Sequence, residues 1–158
     1  MMIQHWNIPH TVLLETERVF TSRRHEVFVL WTGPLGAPTT ACAIRRCVVP
    51  KQQAGATPTG VYVHIDGSEL SRIQFDNFDR GERSVIQLHT HPGADVRMSD
   101  LDRQWEVLTH DGALSIIVPR YGALGLKGFP GVNVYEREGD LWRLWDQVEL
   151  QERIRIVP

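Results

Sequence analysis

The chain has few cysteines, and this limits both its covalent and its metal chemistry. Only Cys42 and Cys47 occur among the 158 residues, whereas structural zinc sites built on paired thiols need more sulfur ligands. An odd separation within one predicted strand would point the two side chains to opposite faces. We therefore expect two free cysteines in the core, no disulfide, and a cytosolic protein.

The chain also has no long apolar run and no excess of positive charge. No segment approaches the roughly 20 apolar residues that a membrane-spanning helix needs, and the first ten residues, MMIQHWNIPH, lack the pattern of a signal peptide. We therefore expect no membrane insertion, no secretion and a cytoplasmic location. The formal net charge of -2 leaves no basic excess to neutralise phosphates, so nucleic acid is not an expected partner.

What the sequence does contain is sufficient for one globular domain. Hydrophobic residues make up 42% of the chain and charged residues 23%, which allows a chain of this length to bury an apolar core without disulfides or structural metals. We predict a single domain over residues 1–158. The five tryptophans, among them Trp105, Trp142 and Trp145, are expected to be core residues rather than a binding platform.

Helices are predicted where apolar residues recur at helical spacing. The first follows Pro9 and ends near Arg23, and the second covers residues 68–78. The third begins near Ser99, has acidic residues in its first turn and ends before Gly112. Its apolar residues are Leu101, Trp105 and Leu108.

Strands are predicted where short apolar or β-branched runs end at glycine or proline. They comprise EVFVLW from Glu26, residues 39–49, 61–65, 84–91, 114–118, 132–137 and 141–145, and an edge strand at 153–157. The Gly, Pro and Thr cluster from Gln52 to Gly60 is predicted to be a loop. Helices fall between and beside strands without the regular alternation of a doubly wound fold, so the predicted class is mixed α/β (α+β).

The segment from His89 to Asp102 predicts a metal site. His89 and His91 lie two residues apart at a strand end, so both imidazoles project to one face and can bind one ion. Asp102, in the first turn of the predicted third helix, can turn a carboxylate back toward them. Two histidines and one carboxylate leave a fourth position open, which is the arrangement of a catalytic zinc site. We expect one catalytic Zn²⁺ and hydrolytic chemistry.

The His-x-His pattern alone is weak, because two histidines near a strand end can be ordinary polar residues. The chain lacks the further features that other zinc hydrolases with this pattern require. Metallo-β-lactamase-like enzymes need HxHxDH, but Gly93 and Ala94 follow Pro92. Amidohydrolase barrels need about 250 residues, nucleobase deaminases need HxE with PCxxC, and no HExxH occurs in the chain.

A longer pattern is more specific. His89, Thr90, His91, Ser99 and Asp102 fit H-[ST]-H-x7-S-x2-D, the pattern of the JAMM (MPN+, or JAB) zinc metalloproteases, which also have an upstream glutamate. The chain resembles this family over most of its length. The resemblance implies one JAB/MPN+ domain, with a mixed sheet curled between helices and a cytidine-deaminase-like architecture.

The resemblance also implies a role for each residue. His89, His91 and Asp102 would bind zinc, and Glu26 would accept a proton from water and pass it to the leaving amine. Ser99 would donate a hydrogen bond to the oxyanion of the tetrahedral intermediate. The segment from Ser99 to Asp102 also fits a helix N-cap, a role that is compatible with catalysis.

Several glutamates precede the motif, so the choice of Glu26 needs an argument. The others are Glu15, Glu17, Glu69 and Glu82. Glu82 lies seven residues before His89, which on an extended strand separates them by roughly 23 Å. Glu15 and Glu17 fall on an amphipathic helix, where solvated charges are normal. Glu26 begins an apolar strand that ends at Gly33, as the glutamate does in JAMM proteins.

The resemblance implies hydrolysis of the peptide or isopeptide bond after the C-terminal glycine of a ubiquitin-like protein. The expected partners are that protein and its conjugates, together with E1-like and E2-like proteins, by analogy with bacterial JAB proteins of antiviral defence operons. Maturation of a sulfur-carrier protein and a non-catalytic MPN scaffold remain as alternatives. The Gly-rich segment 121–133 is a candidate substrate-contacting flap.

Overall fold

The computed structural model of the protein describes residues 2–36, 40–58, 60–104 and 106–158. Within these residues the chain forms three β-sheets and four α-helices. The helices are α1 (His10–Thr21), α2 (Gly67–Asp79), α3 (Asp100–Gln104) and α4 (Gln147–Arg153). The strands are β1 (His5–Pro9), β2 (Phe28–Pro34), β3 (Ala41–Ala43), β4 (Arg46–Val48), β5 (Gln53–Thr57), β6 (Gly60–His64), β7 (Glu82–Thr90), β8 (Leu114–Val118), β9 (Asn133–Glu138), β10 (Leu141–Leu144) and β11 (Ile154–Val157).

A six-stranded sheet in the order β10-β9-β8-β7-β2-β4 forms the centre of the molecule. β7 and β8 are parallel, and the other neighbouring strands are antiparallel. Its central strands are buried over most of their length because both faces of the sheet are covered. Val29 and Trp31 pack on the face that α1 covers with Leu13, whereas Leu30 packs with Ile73 of α2 on the other face.

Two smaller sheets flank this one. β1 lies between β11 and β3, with all three strands parallel, and β5 and β6 form an antiparallel hairpin. The mixed α+β class is therefore confirmed, as are α1, α2, the 132–145 hairpin and the edge strand at the end of the chain. Trp6, Trp31, Trp142 and Trp145 are buried, as predicted, whereas Trp105 lies outside the described residues.

The predicted strand 39–49 is wrong, because the chain changes sheet in its middle. Thr39 lies outside the described residues, and the rest forms β3 in the three-stranded sheet and β4 in the six-stranded sheet. At the crossing, Ile44 N donates to Asn7 O and Arg45 N donates to Thr32 O, each at 2.8 Å. Cys42 and Cys47 are both free and buried, as predicted, although they lie on different strands.

The predicted loop from Gln52 to Gly60 is also wrong, since β5 pairs with β6 along its length. Gly55 lies opposite Tyr62, and the tyrosine ring covers the glycine so closely that a Cβ atom there would lie 2.3 Å from the ring. This cross-strand packing stabilises the pairing in place of large side chains on β5. Small residues therefore form a strand that periodicity alone does not reveal.

The predicted third helix is much shorter than expected. α3 ends at Gln104, and residues 106–108 are not helical. Leu108 N donates to Gln87 Oε1 at 3.0 Å, and Glu106 Oε1 accepts from Arg137 Nη1 at 2.6 Å. These tertiary hydrogen bonds take the place of helical ones. Leu108 is nevertheless buried, so its apolar character reflects core packing rather than a helix face.

The Gly-rich segment 121–133, the predicted flap, is packed against the protein through part of its residues, and its contact with a substrate stays a prediction. Leu126, Phe129 and Val132 are at most 5% exposed. Leu126 N donates to Glu17 Oε1 at 2.8 Å, so Glu17 is not the purely solvated charge that its helical position suggested. The segment therefore anchors α1 to the core.

Three elements have no counterpart in the predictions: β1, α4 and a 3-10 turn at Arg120–Gly122. α4 is only seven residues long and begins with a capping box between Asp146 and Glu149, so its apolar spacing is too brief to be recognised. Among the described residues, no helix has the length and apolarity needed to cross a membrane.

Candidate metal centre

His89 and His91 lie at the end of β7, with their imidazoles turned toward each other. β7 ends at Thr90, and His91 N donates to Val118 O at 2.8 Å, which continues the pairing with β8 by one residue. The two Nε2 atoms lie 3.1 Å apart. Both residues are at most 9% exposed, so the strand places two nitrogen ligands side by side in a largely buried position.

Asp102 faces both imidazoles from the first turn of α3. Its Oδ1 lies 3.2 Å from His89 Nε2, and its Oδ2 lies 3.2 Å from His91 Nε2. Burial opposes ionisation of this carboxyl, but hydrogen bonds with His89 and His91 hold the pKa of Asp102 well below its usual range. The carboxylate is therefore charged and available to a cation.

A reciprocal pair of hydrogen bonds orients Asp102. Ser99 N donates to Asp102 Oδ2 at 2.9 Å, and Asp102 N donates to Ser99 Oγ at 3.0 Å. This is a capping box at the start of α3. The capping interpretation of Ser99 is therefore confirmed, and the same residue lies beside the metal-binding candidates.

The loop between His91 and Ser99 is held by residues that the sequence did not indicate. Met98 N donates to the hydroxyl of Tyr135 at 3.1 Å, and Asn133 Nδ2 donates to Val96 O at 3.2 Å. Asn133 and Tyr135 belong to β9, more than 30 residues further along the chain. Nothing in their local sequence shows this contact, because it depends on how β9 pairs with β8.

The hydrogen bonding of His91 determines which of its nitrogens can bind a metal ion. Nδ1 lies 2.8 Å from the backbone oxygen of Asp95, and a carbonyl can only accept, so Nδ1 carries the hydrogen. The hydrogen bond to Asp102 Oδ2 needs a hydrogen on Nε2 as well, and loss of that proton leaves a lone pair on Nε2 that can bind a metal ion. This orientation, set by a backbone carbonyl, is common for histidines that bind metals.

His89 is positioned by packing instead. Its ring stacks on Phe28 with centroids 6.1 Å apart and an interplanar angle of 9°, while its Nδ1 is buried without a hydrogen-bond partner among the described residues. The Phe28 ring therefore limits rotation of the imidazole, and Nε2 is the nitrogen directed to the cluster.

Glu26 joins this group from the segment just before β2. Thr90 fixes that segment, since Val27 N donates to Thr90 Oγ1 at 3.0 Å and Thr90 N donates to Val27 O at 3.1 Å. Glu26 Oε1 lies 3.8 Å from His91 Nε2. Burial raises the pKa of Glu26, although the neighbouring His89 and His91 oppose the shift.

The donor atoms are close enough to share one ion. Glu26, His89 and His91 each offer one ligand atom, and these atoms all lie within 4.8 Å of one another. Asp102 and Ser99 lie next to this group, so all five predicted site residues come together. Two of the other upstream glutamates are engaged elsewhere. Glu82 binds Arg46, and Glu69 binds Arg72.

A cleft of about 510 Å³ opens beside this cluster. Glu26, His91 and Ser99 line one part of it, and Gly60 with Val61 of β6 line another. A substrate that enters the cleft would therefore meet the carboxylate of Glu26, the hydroxyl of Ser99 and an imidazole together.

Fold and site together define a mixed α+β protein with two histidines and two carboxylates that can hold a metal ion. No family model matches the chain. It is 33% identical over 97 residues to a Sinorhizobium fredii protein named "Probable metalloprotease y4jG". The aligned region covers 61% of this chain and 58% of that protein, so the chain spans less than two thirds of the relative's length.

The fold is similar to the solution structure of protein DSY2949 from Desulfitobacterium hafniense. The TM-score is 0.60, and the match covers 96% of this chain and 92% of the other. Sequence identity is 13%, so this likeness concerns the fold alone.

Proposed function

We propose that the protein is a JAMM-type, zinc-dependent peptidase that hydrolyses the peptide or isopeptide bond after the C-terminal glycine of a ubiquitin-like protein. The observation that carries the proposal is the convergence of His89, His91 and Asp102 beside a buried Glu26. The motif spacing and the similarity to a probable metalloprotease support it further. In this proposal the α+β architecture is of the MPN/JAB type.

His89, His91 and Asp102 would hold the zinc ion. They fit it because each carboxylate oxygen of Asp102 faces one imidazole Nε2, and imidazole nitrogen with carboxylate oxygen is a common donor set of catalytic zinc. Bound zinc supplies a Lewis acid that polarises a carbonyl and makes water more acidic. Glu26 Oε1 lies 3.8 Å from His91 Nε2, whereas the Asp102 oxygens lie 3.2 Å from the imidazole nitrogens, so we assign Glu26 to proton transfer.

Glu26 is suited to be the general base. A catalytic carboxylate works best when its pKa is raised toward the operating pH, and burial raises the pKa of Glu26. Its carboxylate would accept a proton from the attacking water and give it to the leaving amine. Thr90 keeps the Glu26 backbone beside the histidine strand through its hydrogen bonds with Val27.

Ser99 is suited to stabilise the oxyanion. Its Oγ accepts a hydrogen bond from Asp102 N, which leaves the hydroxyl hydrogen available to donate. Ser99 also lines the cleft, where that hydrogen can be directed at the oxygen of the bond under attack. The capping role and the catalytic role therefore use different parts of the same hydroxyl.

The proposed substrate class rests on the resemblance of the motif to JAMM proteases, and the residues that line the cleft are compatible with it. Gly60 and Val61 of β6 are among the residues that line the cleft, and small residues there are compatible with a narrow, extended glycine tail. A bacterial conjugation system with E1-like and E2-like proteins, including one of antiviral defence, is the proposed setting. Processing of a sulfur-carrier precursor would use the same chemistry on a related tail.

The test combines metal analysis with cleavage. The purified protein should contain one zinc per chain, and it should release a C-terminal extension from a ubiquitin-like or sulfur-carrier precursor. Glu26→Gln should retain the zinc and lose cleavage by at least about 100-fold, while the exposed Glu15→Gln serves as the matched control. His89→Ala should lose the zinc.

Two outcomes would contradict the proposal. A carefully purified sample without stoichiometric zinc would favour the scaffold alternative, because a scaffold needs no ion. Full activity of Glu26→Gln would refute the assignment of the base. The relative rates on the two kinds of precursor would distinguish conjugate processing from sulfur-carrier maturation.

A further inference from the structure

The 3-10 turn at Arg120–Gly122, just after β8, has an unusual backbone conformation. The backbone angle φ is 54° at Arg120, 52° at Tyr121 and 78° at Gly122. This left-handed conformation suits glycine, but in other residues it brings Cβ too close to the following carbonyl oxygen. Only three non-glycine residues in the described part of the chain have a positive φ, and two of them are adjacent here. The turn is therefore strained at Arg120 and Tyr121.

The two strained residues are bonded to the metal-binding candidate His91 and to the residues that follow it. Tyr121 N donates to His91 O at 2.9 Å, and Arg120 N donates to Gly93 O at 3.0 Å. In an extended strand, successive amides point to opposite sides, so the chain must turn for both N–H groups to face one loop. Since His91 N donates to Val118 O at 2.8 Å, both backbone polar groups of His91 are held by this one segment.

Packing on the other side maintains the turn in its strained conformation. A Cβ atom at Gly122 would lie 2.8 Å from Cβ of Phe20, which is 1% exposed on α1. Gly122 N also donates to Pro119 O at 3.0 Å, which closes the turn. The close approach to Phe20 therefore supports the turn from one side, while the other side of the turn holds the backbone of His91.

Backbone strain persists only where the surrounding structure requires it, and it is concentrated at functional sites. We propose that Arg120 and Tyr121 are positioning residues, which hold the backbone of His91 and Gly93 so that the His91 imidazole is in place before an ion binds. The strain lowers the stability of the fold, and in return the site needs less ordering when it takes up metal. This inference rests on the proposed function, because it concerns the same metal centre.

A valine variant tests the positioning role. A β-branched residue is poorly tolerated at positive φ, so Arg120→Val should displace the turn and break its bonds to His91 and Gly93. Zinc competition with a chromophoric chelator should then show binding that is weaker by at least about tenfold. In the metal-free protein, hydrogen exchange at the amide of Tyr121 should be faster than in the wild type.

Gly139→Val is the matched control for Arg120→Val. Gly139 has a φ of 64°, and a Cβ atom there would meet nothing within 4 Å, so valine brings the same backbone conflict and no clash. Gly139 lies in the β9–β10 turn near the Leu114 end of β8, whereas His91 is bonded at the Val118 end. This variant should lose stability but retain the zinc affinity of the wild type. Equal zinc affinities of the two variants would overturn the positioning role.

A glycine variant tests the strain itself. Arg120 is exposed, so Arg120→Gly removes no core packing, and it relieves the steric conflict while both N–H bonds remain. Urea unfolding of the metal-free variant should have a higher midpoint than the wild type, and its zinc affinity should stay close to the wild-type value. A midpoint at or below that of the wild type would refute the strain.

Failure of this inference and failure of the proposed function give different results. A wild type without zinc affinity contradicts the proposed function. Hydrogen exchange at Tyr121 and the urea midpoint are measured without metal, so they test the turn in either case. Unchanged exchange at Tyr121 in Arg120→Val would show that the strained turn does not hold His91.

Discussion

Ser99 and Asp102 hold each other at the start of α3 through two reciprocal hydrogen bonds of 2.9 and 3.0 Å. The same Asp102 carboxylate lies 3.2 Å from each of two histidine nitrogens. A local capping interaction thus sets the direction of a side chain in the metal centre. We therefore expect the stability of this five-residue helix and the affinity for a metal ion to be linked through Ser99.

Ser99→Ala should weaken both properties. Loss of an N-cap hydroxyl costs about 1 kcal/mol, and the freed Asp102 carboxylate should bind metal less tightly, by about tenfold. Urea unfolding of the metal-free protein measures the first effect, and zinc competition with a chromophoric chelator measures the second. Ser99→Thr keeps the hydroxyl and should retain both, whereas unchanged zinc affinity in Ser99→Ala would contradict the link.

Tyr135→Phe should loosen the loop that carries Ser99. The variant removes the oxygen that accepts from Met98 N at 3.1 Å, and a buried donor without a partner costs about 1–3 kcal/mol. We expect a lower free energy of unfolding and faster hydrogen exchange at Met98 than in the wild type. Tyr121→Phe, on the 3-10 turn, is the control. Unchanged exchange at Met98 would show that Tyr135 does not hold the loop.

Gly55→Val should disrupt the β5–β6 hairpin. A Cβ atom at Gly55 would lie 2.3 Å from the Tyr62 ring, so the ring must move off the neighbouring strand, at a cost of about 1–3 kcal/mol. We expect faster amide exchange along β5 and β6, with little change in β7 and β8. The double variant Gly55→Val with Tyr62→Ala relieves the overlap and should reverse part of the loss. Equal destabilisation of both variants would contradict this explanation.

His110 should make stability depend on pH in mildly acidic solution. Burial, helped by the nearby charge of Arg83 and opposed by Asp111, lowers the pKa of His110 to about 4, compared with about 6.5 in an unfolded chain. Between these values the unfolded state binds more protons, so the free energy of unfolding falls as the pH drops from 6.5 to 4.

The comparison with His110→Asn isolates this effect, because asparagine stays neutral throughout the range. Urea unfolding at several pH values between 4 and 7.5 should show that the wild type loses on the order of 2 kcal/mol more than the variant as the pH falls. Above pH 7, the free energies of unfolding of the wild type and the variant should change with pH to nearly the same extent. Parallel curves over the whole range would show that His110 does not titrate as described.

Local sequence was informative wherever one segment determines its own structure. Apolar spacing identified α1 and α2, and the continuous apolar runs identified β2, β7 and β8. Alternation on a strand placed His89 and His91 on one side, since side chains two residues apart share a face. The roles assigned to these residues remain predictions until they are tested.

Long-range contacts decided the features that the sequence did not show. The early end of α3 depends on the hydrogen bond that Leu108 N donates to Gln87 and on the one that Arg137 donates to Glu106. β5 forms because Tyr62 covers Gly55. The packing of segment 121–133 depends on Glu17 of α1. Each of these contacts joins residues that no local pattern relates. Periodicity therefore predicted a longer helix, and composition predicted a loop at residues 52–60, while the flap was suggested by the family resemblance.

The sequence by itself determined the metal-binding candidates, because a strand, a short loop and a helix N-terminus bring three motif residues to one place. The sequence also favoured Glu26 among the upstream glutamates, but only the tertiary structure places its carboxylate beside them. Its position follows from the pairing of β2 with β7, where Phe28 lies opposite His89, and from the Thr90 hydrogen bonds to Val27. Strand register is set by contacts across the whole core, and that is why one glutamate among several reaches the site.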